Sequence, residues 1–232
     1  VGYNVQTAVD TKHHLIVTHE VTNLGHDRTQ LSNMSHQAKE AIGTDKLDVV
    51  ADRGYFKGEE ILACQEAGIT VYLPRPQTSR SITKGLFSKR DFQYQPEADA
   101  YRCPAGERLI WRMTQEKDGL THHSYWSSNC QACSLKARCT TGKERRVTRW
   151  EHEAALEALE ARLDKEPERM RVRRQTAEHP FGTLKAWMGH THFQMKTLKH
   201  VSTEMSLHVL AYNLKRVMSI LGIKPLIQAM QA

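Results

Sequence analysis

The sequence has no apolar run long enough to cross a lipid bilayer, and its first residues lack the basic start and apolar stretch of a secretory signal. It also lacks the dense, even cysteine content of a disulfide framework, because only five cysteines occur in 232 residues. Acidic residues are outnumbered by basic ones, 26 to 33. These absences argue against a membrane protein and a small secreted scaffold, and they predict a cytoplasmic protein.

The composition is that of a globular protein, with 39% hydrophobic and 25% charged residues. A chain of this length can bury one sizeable core and a small second module. Its net charge of +7 would attract a polyanion such as DNA. Charge alone is a weak indication, since many basic proteins bind no nucleic acid.

The first third of the chain has a mixed α/β pattern. Short runs rich in β-branched residues predict four strands, at residues 2–9, 14–22, 47–52 and 69–74. The first two suit an antiparallel hairpin. Two amphipathic helices are expected between the later strands, one from an Asp27 cap to Gly43 and one over residues 58–67. This order requires crossover connections.

The middle of the chain is polar, loop-rich and cysteine-bearing, and it shows no long stretch of helical or strand-like hydrophobic periodicity. We interpret it as an inserted module. Helical spacing returns afterwards, at residues 150–165, 168–188 and 200–221, and the last of these is expected to be well buried. The predicted organisation has three parts: 1–74, 75–145 and 146–232.

Four of the cysteines have the spacing C-x26-C-x2-C-x5-C, at Cys103, Cys130, Cys133 and Cys139. The x2 step gives the tight chelating pair typical of structural zinc, and four thiolates would close a tetrahedral site. Such a site would help to fold a module with little core of its own. Free thiols in a loop region are the alternative, and the alternative zinc ligands are His122, His123 and His152.

Two carboxylates stand out. Asp52 ends a predicted buried strand, where a side chain can reach a ligand outside the sheet edge, although it could also simply cap a turn. Glu178 lies four residues after Arg174 and seven before Lys185, so all three would share one helical face. The alternative is an ordinary solvent-exposed helix face, on which Arg174 and Glu178 form an i, i+4 ion pair. The surplus of cations, which includes Arg171 and Arg173, favours phosphate binding instead.

Pro180 follows Glu178 closely and should kink or break the helix there. The kink is expected to turn three apolar side chains toward the core, those of Phe181, Leu184 and Trp187. Glu178 would then point away from the core.

Three segments together resemble the DDE transposases of bacterial insertion sequences, namely GYNVQTAVD at 2–10, ADRGY at 51–55 and EHPFGTLKAW at 178–187. The resemblance covers essentially the whole chain. It implies a ribonuclease H-like α/β fold, a mixed sheet with flanking helices, here interrupted by the Cys-rich insertion. The family's first strand, which carries the first catalytic Asp, is expected upstream of Val1. Asp10 is an unlikely stand-in for that acid.

The resemblance also implies an activity, which is metal-dependent DNA cleavage and strand transfer at insertion-sequence ends. Asp52 and Glu178 would be catalytic and would bind Mg²⁺ or Mn²⁺, as two ions. DNA contacts are assigned to Arg171, Arg173, Arg174 and Lys185. Arg171 stands where the family often has a tyrosine. The expected partners are transposon-end and target DNA and a second copy in a homodimer, with the protein associated with the nucleoid.

Two other interpretations stay open. The chain could be a catalytically incomplete DNA-binding remnant, because the first acid is missing from it. It could also be a zinc-ribbon DNA-binding protein that relies on the segment from Cys103 to Cys139.

Overall fold

The computed structural model describes residues 2–77 and 79–231. The chain divides into two compact units: unit 1 comprises Val1–Arg75 and Ala155–Ala232, and unit 2 comprises Pro76–Ala154. Within the described ranges, no helix is long and apolar enough to span a membrane.

Unit 1 contains two small sheets, and the four predicted strands are confirmed. Strands β1 (Asn4–Val9) and β2 (Ile16–Thr22) form an antiparallel hairpin. Strands β3 (Leu47–Val50) and β4 (Ile69–Tyr72) pair in parallel. Among the described residues, each of these strands has a single strand neighbour. One edge of β1 and one edge of β3 are therefore unpaired.

Helices α1 (Leu31–Ile42) and α2 (Gly58–Glu66) lie where the apolar spacing predicts them. Gly43 ends α1 at a φ of 70°, a conformation that favours glycine. The predicted cap is wrong, because Gln30 takes the cap position and makes no side-chain cap bond. Asp27 cannot serve, since its Oδ1 instead accepts hydrogen bonds from Asn4 and Gln6.

The C-terminal part is helical. It comprises α4 (Glu153–Lys165), α5 (Arg169–Gly182), a π-helical turn (Thr183–Trp187), α6 (Leu198–Leu221) and α7 (Ile223–Gln231). Helix α6 packs on the hairpin through a core that contains Ile16, Val21, Leu184, Val201, Met205, Val209 and Tyr212. The prediction that α6 is well buried holds for its first part and is wrong for its second, because Leu214 and Leu221 are 46% and 53% exposed.

The helix is not broken at Pro180, shortly after Glu178. Pro180 lies inside α5, and the helix widens into the π turn three residues later. Proline removes one backbone donor, and such turns accommodate a disturbed hydrogen-bond ladder. Leu184 is buried as expected, but Trp187 is 79% exposed, because the wider turn no longer presents it on the inner face.

Unit 2 is a regular antiparallel sheet rather than a loop region. Its five strands lie side by side in chain order: β5 (Gln93–Gln95), β6 (Ala100–Arg102), β7 (Arg108–Lys117), β8 (Leu120–Trp126) and β9 (Val147–Trp150). Along the chain, a short helix, α3 (Lys136–Cys139), follows β8 and precedes β9. The core of the unit contains Phe92, Tyr101, Leu109, Tyr125 and Val147. Strand β9 lies beyond residue 145, the predicted end of the insertion, and those domain boundaries stay a prediction.

Candidate active site

Asp52 follows the end of β3, where the backbone N–H of Ala51 still donates to the Tyr72 carbonyl, at 3.0 Å. One oxygen of Asp52, Oδ1, accepts the backbone N–H of Arg53 at 2.7 Å and caps a 3-10 turn, Arg53–Tyr55. The other oxygen, Oδ2, lies 3.4 Å from a guanidinium nitrogen of Arg173. The cap therefore uses one oxygen and leaves the second facing α5.

Glu178 meets the same arginine from the other side. Its Oε1 lies 3.7 Å from Nη1 of Arg173, while Nη2 contacts Asp52. A single guanidinium thus joins two carboxylates that are far apart in sequence. The side chains of Asp52 and Glu178 are 51% and 68% exposed, so these ion pairs add little to stability. Their importance is that they mark where the acids converge.

The two acids open onto a cleft of about 450 Å³, lined by β1, α1, β3 and α5. The walls are largely apolar and include Val5, Leu31, Met34 and Val49. β1 and β3 both line the cleft and do not pair with each other. The cleft is therefore bordered by two strands, each of which has an unpaired edge.

Most of the predicted DNA-contacting cations do not reach this place. Arg171, Arg174 and Lys185 are exposed and are absent from the cleft lining, whereas Arg173 is part of it. Asp10 lines the cleft, but its carboxylate accepts the backbone N–H groups of the hairpin turn, at 2.6 Å from the nitrogen of His13.

Sequence reasoning missed a polar network beside Asp52. The Tyr55 hydroxyl donates to Oε1 of Gln6, whose Nε2 donates to Asp27 at 2.7 Å. Burial raises the pKa of Tyr55 to about 12, and the Asp27 carboxylate acts in the same direction. Local pattern carries no signal for this network, because Gln6 shares one face of β1 with the polar Asn4 and is nevertheless only 1% exposed. The network ties β1 to the turn that carries Asp52.

Two carboxylates suit a hard divalent cation, because such ions prefer oxygen ligands. The Arg173 guanidinium already places positive charge between Asp52 and Glu178, so a cation fits electrostatically there. Across residues 2–77 and 79–231, however, no group of three or more His, Cys, Asp or Glu side chains is arranged to hold a metal ion. The two acids therefore form an incomplete ligand set.

In unit 2, one small cavity of about 30 Å³ is lined by Cys103, Cys130, Cys133 and Cys139. All four are half-buried free thiols. Burial raises the pKa of Cys139, and the other three thiols act in the same direction, opposed by Arg145. Cys64 is fully buried in α2, and burial raises its pKa to about 11.

Comparison with known proteins identifies the family of this chain. The family model described as the transposase DDE domain matches residues 1–214. No curated protein and no solved structure matches the chain significantly. The family acts in DNA transposition and generally uses divalent metal ions, and the mixed α/β architecture is consistent with its ribonuclease H-like fold. Because the match covers most of the chain, the protein belongs to the transposase DDE domain family.

Proposed function

We propose that this protein cleaves DNA at the ends of an insertion sequence and joins the ends to target DNA. The observation that carries the proposal is the meeting of Asp52 and Glu178 at Arg173. A protein with this function works on DNA at the nucleoid.

Asp52 and Glu178 would hold Mg²⁺ or Mn²⁺, as two ions. When bound, such ions activate the attacking oxygen and stabilise the leaving oxygen of an in-line phosphoryl displacement. Arg173 then contacts a DNA phosphate instead of the two carboxylates. Arg171, Arg174 and Lys185 are exposed cations on the same segment, and they hold the DNA backbone on either side.

A third acid completes the ligand set on an additional strand. The cleft supports this part of the proposal, because it is bordered by β1 and β3, two strands with unpaired edges. An extended segment between them would satisfy both edges. Its apolar side chains would contact Leu31 and Met34, and a carboxylate at its end would lie near Asp52.

The proposal is tested by nicking of a supercoiled plasmid that carries the insertion-sequence ends, with the chain extended by its upstream codons. We expect Asp52→Asn and Glu178→Gln each to reduce Mg²⁺-dependent nicking by at least a hundredfold and to leave DNA affinity within about twofold. Glu168→Gln, a change at an exposed acid of the same helical segment, is the matched control and should nick normally. Nicking by both active-site variants at the control rate would overturn the proposal.

We also propose that Cys103, Cys130, Cys133 and Cys139 bind a structural Zn²⁺ ion. Their lining of one cavity supports this, and so do two tight turns, in which Gly106 donates to the Cys103 carbonyl and Cys133 to the Cys130 carbonyl. The side chains would have to reorient to act as ligands, since no metal-binding arrangement of three or more such groups is found among the described residues. One equivalent of zinc should be detected in purified protein by elemental analysis, and Cys133→Ser should lose it. Zinc content unaffected by that change would exclude the site.

The active form is proposed to be a homodimer. Helix α6 supports this, because it presents a heptad-spaced apolar stripe, which comprises Leu207, Leu210, Leu214, Val217 and Leu221. The four leucines are between 46% and 64% exposed. Such a spacing is typical of helices that pair with one another, and a second copy supplies an identical stripe.

A further inference from the structure

The sheet of unit 2 has an exposed, cationic and partly apolar surface that the active-site proposal does not use. Directly opposed residues of an antiparallel pair share a face, as do alternate residues of one strand. By the observed register, one face of the sheet carries Arg102, Arg108, Ile110, Met113 and Trp126. Arg146 packs on Trp126 from the segment before β9, 4.7 Å from the ring centroid. We call these six residues the basic sheet face.

Two of the three arginines of the basic sheet face, Arg102 and Arg108, are not balanced by a nearby acid, whereas Arg146 pairs with Glu144. Arg102 and Arg108 are exposed and lie directly opposite each other on β6 and β7. Like charges in this position destabilise a sheet. Arg108 donates to the Ala98 carbonyl at 3.0 Å, and no carboxylate lies within ion-pair distance of either arginine in the described part of the chain. An anionic ligand would relieve this repulsion.

The apolar members of the face indicate which anion fits. Ile110 and Met113 are each 38% exposed, although they lie on a face whose small residues Ala100 and Ser124 are buried. The guanidinium of Arg146 lies over the Trp126 ring, with its central carbon 4.7 Å from the ring centroid, and it also pairs with Glu144 at 2.8 Å. Unpaired bases stack on arginine planes and on aromatic rings, whereas duplex DNA presents mainly phosphates.

We propose that the basic sheet face binds a single DNA strand, with phosphates at Arg102 and Arg108 and bases against Ile110, Met113 and the Arg146–Trp126 pair. This interaction is separate from cleavage, and it rests on the proposed function only for the source of the strand. Strand cleavage at an element end frees a strand end that can separate from its complement, and a sheet face of this kind would retain the separated nucleotides.

The test measures anisotropy of a fluorescent twenty-nucleotide poly-dT strand in EDTA, across a salt series. The variant Arg102→Ala/Arg108→Ala should bind at least tenfold more weakly, and the slope of log affinity against log salt should fall by about 1.4, since each contact to a single strand contributes about 0.7. The control Arg80→Ala/Lys84→Ala removes the same charge from exposed positions in the loop before β5 and should change neither value. Matching melting curves would establish that both variants fold.

Equal affinity and slope in the two double variants would overturn the proposal. So would duplex DNA competing as well as the single strand, or a loss confined to self-association, which would assign the face to a protein partner. Ile110→Thr separates stacking from charge, because it should weaken binding while leaving the salt slope unchanged. Asp52→Asn should bind the strand normally, so a failure of the active-site proposal is distinguishable from a failure of this one.

Discussion

Asp99 shows how one residue can make part of the stability depend on pH. Its Oδ1 accepts hydrogen bonds from Tyr125 and Tyr94, at 2.7 and 2.8 Å. The Tyr125 bond, followed by that of Tyr94, holds the pKa of Asp99 below its usual value. A depressed pKa stabilises the folded state above the unfolded value of about 4. That stabilisation is lost as the pH falls through the lower, folded pKa.

We therefore expect Asp99→Asn to lower the free energy of unfolding of unit 2 by about 1 kcal/mol at pH 7, a small value because the residue is exposed. The difference from the parent protein should shrink below pH 4. Asparagine suits this position, since Asp99 has a φ of 40°. Urea unfolding at pH 7, 5 and 3 measures the effect. A difference that stays constant across this range would contradict the linkage.

Individual site residues were predictable where a motif carries them. Motifs singled out Asp52 and Glu178, which lie near each other in the fold, while their catalytic role stays a prediction. The position of Arg173, rather than Arg174, between the two acids was not predictable. Helical spacing compares positions along α5 alone, whereas the rotation of α5 is set by its packing against β1 and β3. The contact between Gln6 and Asp27 was not predicted for a similar reason, because this hydrogen bond joins segments distant in sequence.

At the scale of the element, the passage from α5 into the π turn is the feature most closely coupled to the site. Pro180 is buried and cannot donate to the Thr176 carbonyl one turn earlier. We expect Pro180→Ala to restore that hydrogen bond and to shift Glu178 relative to Asp52. Nicking should fall about tenfold or more, because misplacement of a ligand by an ångström is costly.

Stability is the control for this variant, since the loss of buried volume at Pro180 could by itself lower activity. Thermal unfolding should change by only a few degrees. The exposed substitution Gln175→Ala on the same helix should affect neither property. If Pro180→Ala nicks at the parent rate with unchanged stability, the proline has no part in placing Glu178.

Elements with their own apolar period were predictable, and short or exposed ones were not. β1 to β4, α1 and α2 each carry a local pattern of β-branched or helically spaced residues. β5 and β6 have three residues each, too few to show alternation, and nine of the ten residues of β7 are exposed. Their pairing depends on tertiary register, which local patterns do not contain.

At the scale of the whole molecule, the apolar stripe of α6 gives a direct prediction. Leu210→Asn/Leu214→Asn should convert a dimer to a monomer, because polar groups at both positions interrupt the apolar stripe through which the two α6 helices would pair. Light scattering coupled to size-exclusion chromatography measures the mass. Ser219→Asn, a change at an exposed position on the opposite side of α6, should leave the dimer intact. A monomeric parent protein at 50 µM would contradict the proposed assembly.

The unpaired edges of β1 and β3 have a consequence for handling the protein. Exposed strand edges recruit strands from neighbouring molecules and promote aggregation. The 232-residue chain should therefore become turbid as it is concentrated, with growth of thioflavin fluorescence. A peptide that binds in the cleft and pairs with these strand edges should delay that precipitation.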